Sequence, residues 1–201
     1  MNKVPGTQGY AAEADELAVR YASFTFEDAH KGVLKLLPTS GKVLDIGAGT
    51  GRDAGGFAAR GHDVLAVEPT PEMRAHGERL HPDARIEWMD DALPDLARVR
   101  ARGETFAIVM LTAVWMHLDE GERRAAMPNV AALVAPGGYL SISLRHGPVP
   151  PGRRMFDISI DETLALAAPF GLMEVFRRDG TRDELNRSDI SWSRLVMRKG
   201  S

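Results

Sequence analysis

Glycines stand at three alternate positions directly after a short apolar run. They are Gly47, Gly49 and Gly51, within the segment VLDIGAGTGRD at 43–53. Glycine tolerates a positive φ and has no Cβ, so the main chain can turn sharply here and a ligand can approach it closely. A helical segment begins immediately afterwards, and its free N–H groups would face such a ligand. The segment therefore predicts a ligand-binding turn, whose alternative is an ordinary strand-to-helix connection.

The spacing of these glycines distinguishes two classes of ligand. A dinucleotide-binding turn has the pattern Gly-x-Gly-x-x-Gly, whereas here Arg52 stands where the third glycine would fall. Asp45 lies two residues before the first glycine. Its carboxylate would repel a pyrophosphate but can accept charge-assisted hydrogen bonds from the amino group of an amino-acid-like ligand. We therefore favour a ligand with an amino-acid part over the nicotinamide cofactor of an oxidoreductase.

Acidic residues also end the next two predicted strands. Glu68 ends the second strand, where a carboxylate can accept both hydroxyls of a ribose; its alternative role is an exposed acid near a helix N-terminus. Asp91 follows the third strand and precedes the small Ala92, so it can hold an adenine amino group and leave space for the ring. Either Asp90 or Asp91 can instead cap a helix that begins at Leu93.

The order of apolar and helical segments explains how these residues can meet. Short apolar runs alternate with helical segments, which is typical of βαβ units and a mostly parallel sheet. We predict seven strands, of which five alternate with helices and the last two, 172–177 and 190–198, form a hairpin. The final strand is then antiparallel to its neighbour. In such sheets ligands bind outside the carboxyl ends of the strands, and the polar residues described above all follow strands at that edge.

Local signals indicate where helices begin and end. Three starts have a capping residue followed by an acid or a proline: Thr25 with Asp28, Thr70 with Pro71, and Asp119 with Glu122. We expect the first of these helices to reach Pro38, and the third to be kinked or split at Pro128. A later helix is expected to be capped by Asp161, and residues 136–138 to form a turn.

The composition limits the class of protein. The chain has 201 residues, 44% of them hydrophobic and 26% charged, and a formal net charge of -3, which is typical of one globular domain. It has no cysteine, which excludes disulfides and thiolate chemistry, and we predict no metal site. It also lacks the basic excess of most nucleic-acid-binding proteins. No apolar run approaches the ~18 residues of a membrane span, so we expect a cytoplasmic protein with no membrane or nucleic-acid partner.

These motifs occur together in one known family. The stretch 43–144 resembles the cofactor-binding core of class I S-adenosylmethionine-dependent methyltransferases, in particular the small stand-alone members that act on small molecules. The matching segments, in order, are VLDIGAGTGRDA, VLAVEPTPEM, DDALPDL, FAIVMLTAVWMHL and LVAPGGYLSIS. One departure is TAVW at 112–115, which is not the Asn/Asp-Pro-Pro-aromatic signature of amino-methylating nucleic-acid enzymes. Methylation of DNA or of protein glutamine is therefore remote.

The resemblance implies an α/β fold that is Rossmann-like, with helices on both faces of a seven-stranded sheet in the order 3-2-1-4-5-7-6 and strand 7 antiparallel. It implies one domain, with a helical lid at 1–40, a cofactor-binding core at 41–145, and a loop, helix and hairpin at 146–201. It also implies S-adenosyl-L-methionine as cofactor, its methionine part near Asp45, its ribose near Glu68 and its adenine near Asp91. The implied cofactor contacts are Asp45, Gly47, Ala48, Gly49, Gly51, Arg52, Glu68, Pro69, Asp91, Ala92 and Thr112.

The implied activity is transfer of a methyl group to a small-molecule acceptor by direct displacement. In such a reaction the protein aligns the reacting atoms and excludes water, and a general base is needed only where the acceptor loses a proton. Residues able to act as that base or to orient the acceptor are His117, Tyr21, Tyr10, His30 and His146. We select His117 and Tyr21, although His117 can instead pack or cap ahead of a helix. The alternative function is a non-catalytic module that binds S-adenosylmethionine or adenosylhomocysteine.

Three arginines follow the fifth strand and bear on the acceptor: Arg145, Arg153 and Arg154. Their guanidinium groups can clamp an acidic acceptor, and a solvated loop is the alternative. The methyl acceptor, the atom methylated and the oligomeric state are left open by the sequence.

Overall fold

The centre of the molecule is a twisted sheet, seen in a computed structural model that describes residues 4–83 and 85–201. Residues 1–3 of the predicted helical lid lie outside that part. The strands are β1 Val43–Ile46, β2 Val64–Val67, β3 Ile86–Met89, β4 Phe106–Thr112, β5 Val134–His146, β6 Leu172–Arg182 and β7 Ser191–Lys199. Their order is β3-β2-β1-β4-β5-β7-β6. β7 is antiparallel to both β5 and β6, whereas the other pairs are parallel, so the predicted fold is confirmed.

Helices connect and cover these strands. They are α1 Ala14–Tyr21, α2 Phe26–Ala29, α3 Arg52–Ala58, α4 Pro71–Leu80, α5 Ala97–Ala101, α6 Glu120–Leu133 and α7 Ile160–Ala167. Short 3₁₀ turns lie at Ala11–Glu13, Leu34–Leu36, Trp115–His117 and Ala168–Phe170. Within the described residues, no helix combines the length and the apolar character needed to cross a membrane.

Separate apolar clusters lie on the two faces of the sheet. Val43 and Leu44 are neighbours in β1, yet Val43 belongs to the cluster that contains Phe57 of α3, and Leu44 to the cluster that contains Val130 of α6. This division follows from the strand geometry, since successive side chains point to opposite faces. All four side chains are almost fully buried, and burial of each contributes about 1.5–3 kcal/mol.

A third, smaller cluster fixes the N-terminal segment over the sheet edge. Ala14 and Leu17 of α1 pack with Met73 of α4, and Tyr10 and Tyr21 lie against them. The chain ahead of β1 is therefore held above the carboxyl ends of the strands, where the predicted lid would act.

Two of the predicted caps form as their spacing predicts, whereas Thr70 precedes α4 at the expected position without a side-chain hydrogen bond to it. The hydroxyl of Thr25 accepts the N–H of Asp28 at 3.1 Å, and the Asp28 carboxylate accepts the N–H of Thr25 at 3.2 Å. Asp119 and Glu122 form the same reciprocal pair at 2.9 and 2.8 Å. The helix that Asp119 begins runs unbroken through Pro128, so the predicted split is wrong.

Several features differ from the sequence expectation, for local as well as tertiary reasons. The helix begun by Thr25 ends at Ala29 rather than near Pro38, since His30 turns inward and Gly32 adopts a φ of +86°. The helix expected from Leu93 begins at Ala97 instead. Leu93 directly precedes Pro94, and helical geometry is disfavoured for a residue in that position.

The other two differences lie in the second half of the chain. Ser159 caps α7 by accepting the N–H of Glu162 at 3.1 Å, so Asp161 falls inside the first turn instead. Residues 136–138 belong to β5 rather than to a separate turn, and a register shift between Phe106 and Ile108 of β4 accommodates the extra residues.

Candidate active site

A single cavity of about 270 Å³ opens at the carboxyl ends of the central strands, beneath α1. All the cofactor and catalytic residues predicted from the sequence line it, with the exception of Gly51. The same cavity also receives residues from the end of β5 and from the β6–β7 hairpin. The topology therefore brings together the glycine turn, the strand-end acids and the arginines from distant parts of the chain.

The glycine turn forms one end of the cavity. Gly47 has a φ of +71°, and a Cβ there would lie 2.5 Å from Cγ2 of Val114, so neither the backbone nor the space admits a side chain. The N–H groups of Gly47 and Ala48 donate to the carbonyl of Val67 at 2.8 and 2.9 Å. These bonds tie the turn to the end of β2 and set its shape before any ligand binds.

Gly51 has a packing role in this structure. It begins α3 with a φ of +83°, and a Cβ there would lie 2.9 Å from the Trp88 ring and from His81. Gly51 therefore allows the turn to pack closely against Trp88 and His81, and it does not line the cavity.

Asp45 presents an unpartnered carboxylate oxygen beside this turn. The residue is 1% exposed, and its Oδ2 atom has no hydrogen-bond partner within the described chain. Burial, together with the neighbouring Asp53 carboxylate, raises the pKa of Asp45 well above its usual range. A buried acceptor without a donor is costly, and a ligand that supplies an N–H group would relieve that cost.

Asp53 organises the floor of the site, a role that sequence reasoning did not assign. Its carboxylate accepts hydrogen bonds from His30 Nε2 at 2.7 Å, Arg52 Nε at 2.9 Å and Thr112 Oγ1 at 2.6 Å. Although burial opposes ionisation, the interactions with His30 and Arg52 and the hydrogen bonds lower the pKa of Asp53. This network commits His30 to Asp53 and leaves it outside the cavity lining, so His30 does not serve as a base there.

Glu68 joins the glycine turn to the start of α4. Its Oε2 accepts the N–H of Gly49 at 2.9 Å, and its Oε1 accepts the N–H of Thr70 at 2.8 Å. Burial raises the pKa of this carboxyl in spite of those bonds. Each oxygen keeps a further lone pair for a ligand hydroxyl, so the bridge is compatible with the predicted ribose contact.

Asp91 is engaged with main-chain groups. Its Oδ1 accepts the N–H of Ala92 at 2.9 Å, and its Oδ2 accepts the N–H groups of Arg98 and Val99 at 2.8 Å each. Asp91 thus caps the first turn of α5, which is the alternative role given to it from the sequence, while it also lines the cavity.

His117 and Tyr10 form a hydrogen-bonded pair at the roof. The carbonyl of Arg154 lies 2.7 Å from His117 Nδ1, and a carbonyl only accepts, so Nδ1 carries the proton. His117 Nε2 then accepts the Tyr10 hydroxyl at 3.0 Å. Burial lowers the pKa of His117, and burial together with Tyr21 raises the pKa of Tyr10, so both groups are neutral near pH 7.

The arginines predicted near the acceptor have different surroundings. Arg153 stacks on the Tyr10 ring at 4.0 Å and pairs with Glu13 at 2.7 Å, so it anchors the roof. Arg154 pairs with Asp119 and Glu122 at 2.8 Å. Arg145 lines the cavity.

His146 lies on the opposite face of the sheet. It binds Asp157 at 3.0 Å and Ser193 at 2.8 Å and is absent from the cavity lining. It is therefore not placed to act as a base in this site.

Comparison with known proteins shows that this arrangement is similar to methyltransferases. A family model described as a methyltransferase domain matches residues 43–138, from the strand before the glycine turn into β5. A crystal structure of Burkholderia thailandensis 1,6-didemethyltoxoflavin-N1-methyltransferase superposes with a TM-score of 0.72 and 20% identity, over 96% of this chain and 86% of that one. A TehB-like S-adenosylmethionine-dependent methyltransferase from Corynebacterium glutamicum gives 0.69 and 21%, over 94% and 98%. Residues 43–138 thus match a methyltransferase domain, and over most of its length the chain shares the fold of S-adenosylmethionine-dependent methyltransferases.

The curated relatives that the chain resembles are longer proteins. An uncharacterised methyltransferase of Mycobacterium tuberculosis is 31% identical over 115 residues, which are 53% of this chain and 41% of that protein. Human glycine N-methyltransferase is 27% identical over 154 residues, which are 62% and 51% respectively. The chain thus spans about half the length of these relatives or less.

Proposed function

We propose that the protein binds S-adenosyl-L-methionine and transfers its methyl group to a small-molecule acceptor. The observation that carries the proposal is the unpartnered, buried Oδ2 of Asp45 beside a turn whose glycines hold positive φ values. Support also comes from similar structures that contain bound S-adenosylhomocysteine, namely the B. thailandensis enzyme and the N-methyltransferase NodS of Bradyrhizobium japonicum.

The residues present fit this cofactor. Asp45 offers a carboxylate to an ammonium group, which matches the amino-acid part of the cofactor. Gly47, Ala48, Gly49 and Arg52 surround that part in the proposal. Glu68 and Pro69 take the ribose, and Asp91, Ala92 and Thr112 complete the contacts. When bound, the cofactor supplies a methyl group on a positively charged sulfur that is ready for nucleophilic displacement.

The chain contributes positioning and shielding. α1 with Tyr10 and Tyr21 covers the cavity, which excludes water and holds an acceptor close to the reacting carbon. Because Asp45, Glu68 and the glycine turn are held by strand ends and main-chain hydrogen bonds, the site needs little rearrangement to bind.

The Tyr10–His117 pair defines where an acceptor proton goes. His117 Nε2 is occupied by the Tyr10 hydroxyl, so His117 does not contact an acceptor directly. Tyr10 Oη accepts the acceptor proton and gives its own to Nε2. In this proposal Tyr10 is the group that meets the acceptor, Tyr21 lies beside it, and His117 is the base behind it.

Titration calorimetry tests the cofactor assignment. We expect S-adenosylmethionine and adenosylhomocysteine to bind the wild type and NAD not to bind. Asp45→Ala and Gly49→Val are each expected to abolish binding with the fold retained, whereas Asp90→Ala, which removes an exposed acid, serves as the matched control. Binding of NAD alone, or normal affinity in both site variants, would overturn the assignment.

Product analysis separates an enzyme from a binding module. The wild type is incubated with cofactor labelled in its methyl group and a panel of small metabolites, and labelled products are separated by chromatography. Label in an acceptor that depends on intact protein supports transfer. Tight cofactor binding without any labelled product from the panel favours the non-catalytic alternative.

A further inference from the structure

Beyond the glycine turn, the cavity wall is formed by neighbouring ends of β5 and β7. The strand register sets Arg145 opposite Trp192, and Ser143 opposite Arg194. Directly opposite residues of an antiparallel pair share a face of the sheet, as do residues two apart in one strand. All four residues line the cavity. The pairing therefore brings Arg145 and Arg194 to diagonally neighbouring positions on one wall.

Arg145 is a buried cation that no carboxylate of the described chain neutralises. The residue is 9% exposed. Its guanidinium donates to the carbonyls of Pro148 at 2.9 Å and Gly147 at 3.5 Å, and the Sδ of Met155 lies 3.8 Å away. Carbonyl oxygens satisfy donors but leave the positive charge uncompensated, and an unpaired charge in such a place opposes folding.

Arg194, which is half-buried, adds a second positive charge. Across the part of the chain that the structure describes, its side chain makes neither a hydrogen bond nor an ion pair. Burial lowers the pKa of both Arg145 and Arg194, which reflects the cost of holding two cations in this wall without anions.

The nearby buried acids are engaged elsewhere. Asp183 binds Arg187 through both carboxylate oxygens, and it also accepts the indole N–H of Trp192 at 2.8 Å. Asp53 holds Arg52 and its other partners in the floor network. The fold thus pairs Arg52 and Arg187 with these two acids and leaves Arg145 and Arg194 for a group that comes from outside.

We propose that Arg145, with Arg194 beside it, binds the carboxylate of the methyl acceptor, so that the acceptor is a small organic acid. This inference rests on the proposed function, because it assigns the second half of the same cavity. A guanidinium presents parallel N–H donors that match the two oxygens of a carboxylate. The Asp183 hydrogen bond fixes the Trp192 ring beside this position, which gives the body of the acid a flat apolar surface.

The test uses pairs of probes that differ in charge and hardly in shape. ¹⁹F NMR line broadening measures the dissociation constants of 4-fluorobenzoate against 4-fluorobenzamide, and of fluoroacetate against fluoroacetamide. Each titration is run on the full chain with and without saturating adenosylhomocysteine. We expect at least one carboxylate to bind on the order of 10-fold or more tightly than its amide, the scale of a charged hydrogen-bond partner.

Three variants locate the effect. Arg145→Met is expected to remove the preference for the carboxylate, Arg145→Lys to keep part of it, and Arg194→Met to reduce it. Arg182→Met is the matched control, because Arg182 lines the cavity but is exposed; we expect it to keep the preference. Thermal unfolding confirms that each variant is folded, and Arg194→Met with Arg145→Lys decides the matter if Arg145→Met does not fold.

The outcomes distinguish this inference from the proposed function. Adenosylhomocysteine that binds, with neither carboxylate preferred over its amide, would overturn the acceptor assignment alone. Loss of adenosylhomocysteine affinity in Arg145→Met would assign that guanidinium to the cofactor and also overturn it. If adenosylhomocysteine does not bind the wild type, the proposed function fails, and the titrations of the free protein still decide whether these arginines hold a carboxylate.

Discussion

The hydroxyl of Tyr10 lies 3.0 Å from Nε2 of His117, across 107 residues of sequence. The hydrogen bond joins the segment ahead of α1 to the 3₁₀ turn after β4, and the Arg154 carbonyl at 2.7 Å fixes the direction of the proton. The pair therefore closes the roof of the cavity with a defined tautomer of His117. Because this histidine is buried, the free energy of unfolding also depends on whether His117 is protonated.

We expect His117→Gln to flatten the pH dependence of stability below neutrality. Burial lowers the pKa of His117, whereas an unfolded histidine titrates near about 6.5. Between the folded and unfolded values the unfolded chain binds more protons, so the free energy of unfolding falls as the pH drops below about 6.5. Urea unfolding at pH 7.5 and 5.5 measures this fall, and the variant should lose the part that His117 causes. An equal fall in both proteins would contradict the buried, neutral state.

Asp45→Asn is expected to stabilise the fold and to weaken ligand binding. Burial and the Asp53 carboxylate raise the pKa of Asp45, so its charged form opposes folding above the pKa of an unfolded aspartate, about 3.9. Asparagine removes that charge at nearly constant volume. We expect a higher urea midpoint at pH 7 and at least 10-fold weaker binding of adenosylhomocysteine by calorimetry. A variant that is less stable, yet binds normally, would show that the carboxylate is structural.

Glu68→Ala is expected to weaken adenosylhomocysteine binding by ~1–3 kcal/mol, the scale of a lost charged hydrogen-bond partner. The same change leaves the amides of Gly49 and Thr70 without their acceptor, so the free energy of unfolding should also fall. Glu68→Gln keeps one acceptor oxygen and should lie between the wild type and the alanine variant in both measurements. Equal losses in the two variants would mean that the second oxygen is essential to the bridge.

Local and periodic signals in the sequence were sufficient for the alternation of strands with helices, the final hairpin and both capping boxes, whereas the sheet order was implied by the family resemblance. The placement of Asp45 beside the glycine turn was predictable because these residues are neighbours in the chain, so the spacing itself holds the information. Thr25 and Asp119 cap their helices for the same reason. The cavity could be anticipated at the strand ends, since parallel strands bring those ends to one edge.

Contacts between distant residues could not be predicted in this way. His30 meets Asp53 across 23 residues, and nothing in the spacing distinguishes it from the other histidines. Arg145 and Arg154 are equally plausible from the sequence, but only the pairing of Arg154 with the cap of α6 shows which one is left free for a ligand. Which arginine lacks a carboxylate partner depends on contacts that form only in the folded chain.

Gly51 and Gly61 form a matched pair that separates backbone strain from packing. Both have a left-handed φ, +83° and +89°, for which a non-glycine residue costs about 1–2 kcal/mol. A Cβ at Gly61 meets nothing within 4 Å, whereas at Gly51 it would lie 2.9 Å from the Trp88 ring. We expect Gly61→Ala to lower the free energy of unfolding by about 1–2 kcal/mol. Gly51→Ala should lower it further, because Trp88 must also shift.

The ligand affinity of the same two variants then tests the role of the turn. Gly51→Ala should also weaken adenosylhomocysteine binding, because displacement of the turn moves the amides of Gly49 and its neighbours, while Gly61→Ala, at the far end of α3, should bind normally. Urea unfolding and calorimetry on both variants give the two readouts. If Gly51→Ala lost no more stability than Gly61→Ala and bound normally, the close packing of Trp88 behind the turn would have no part in shaping the site.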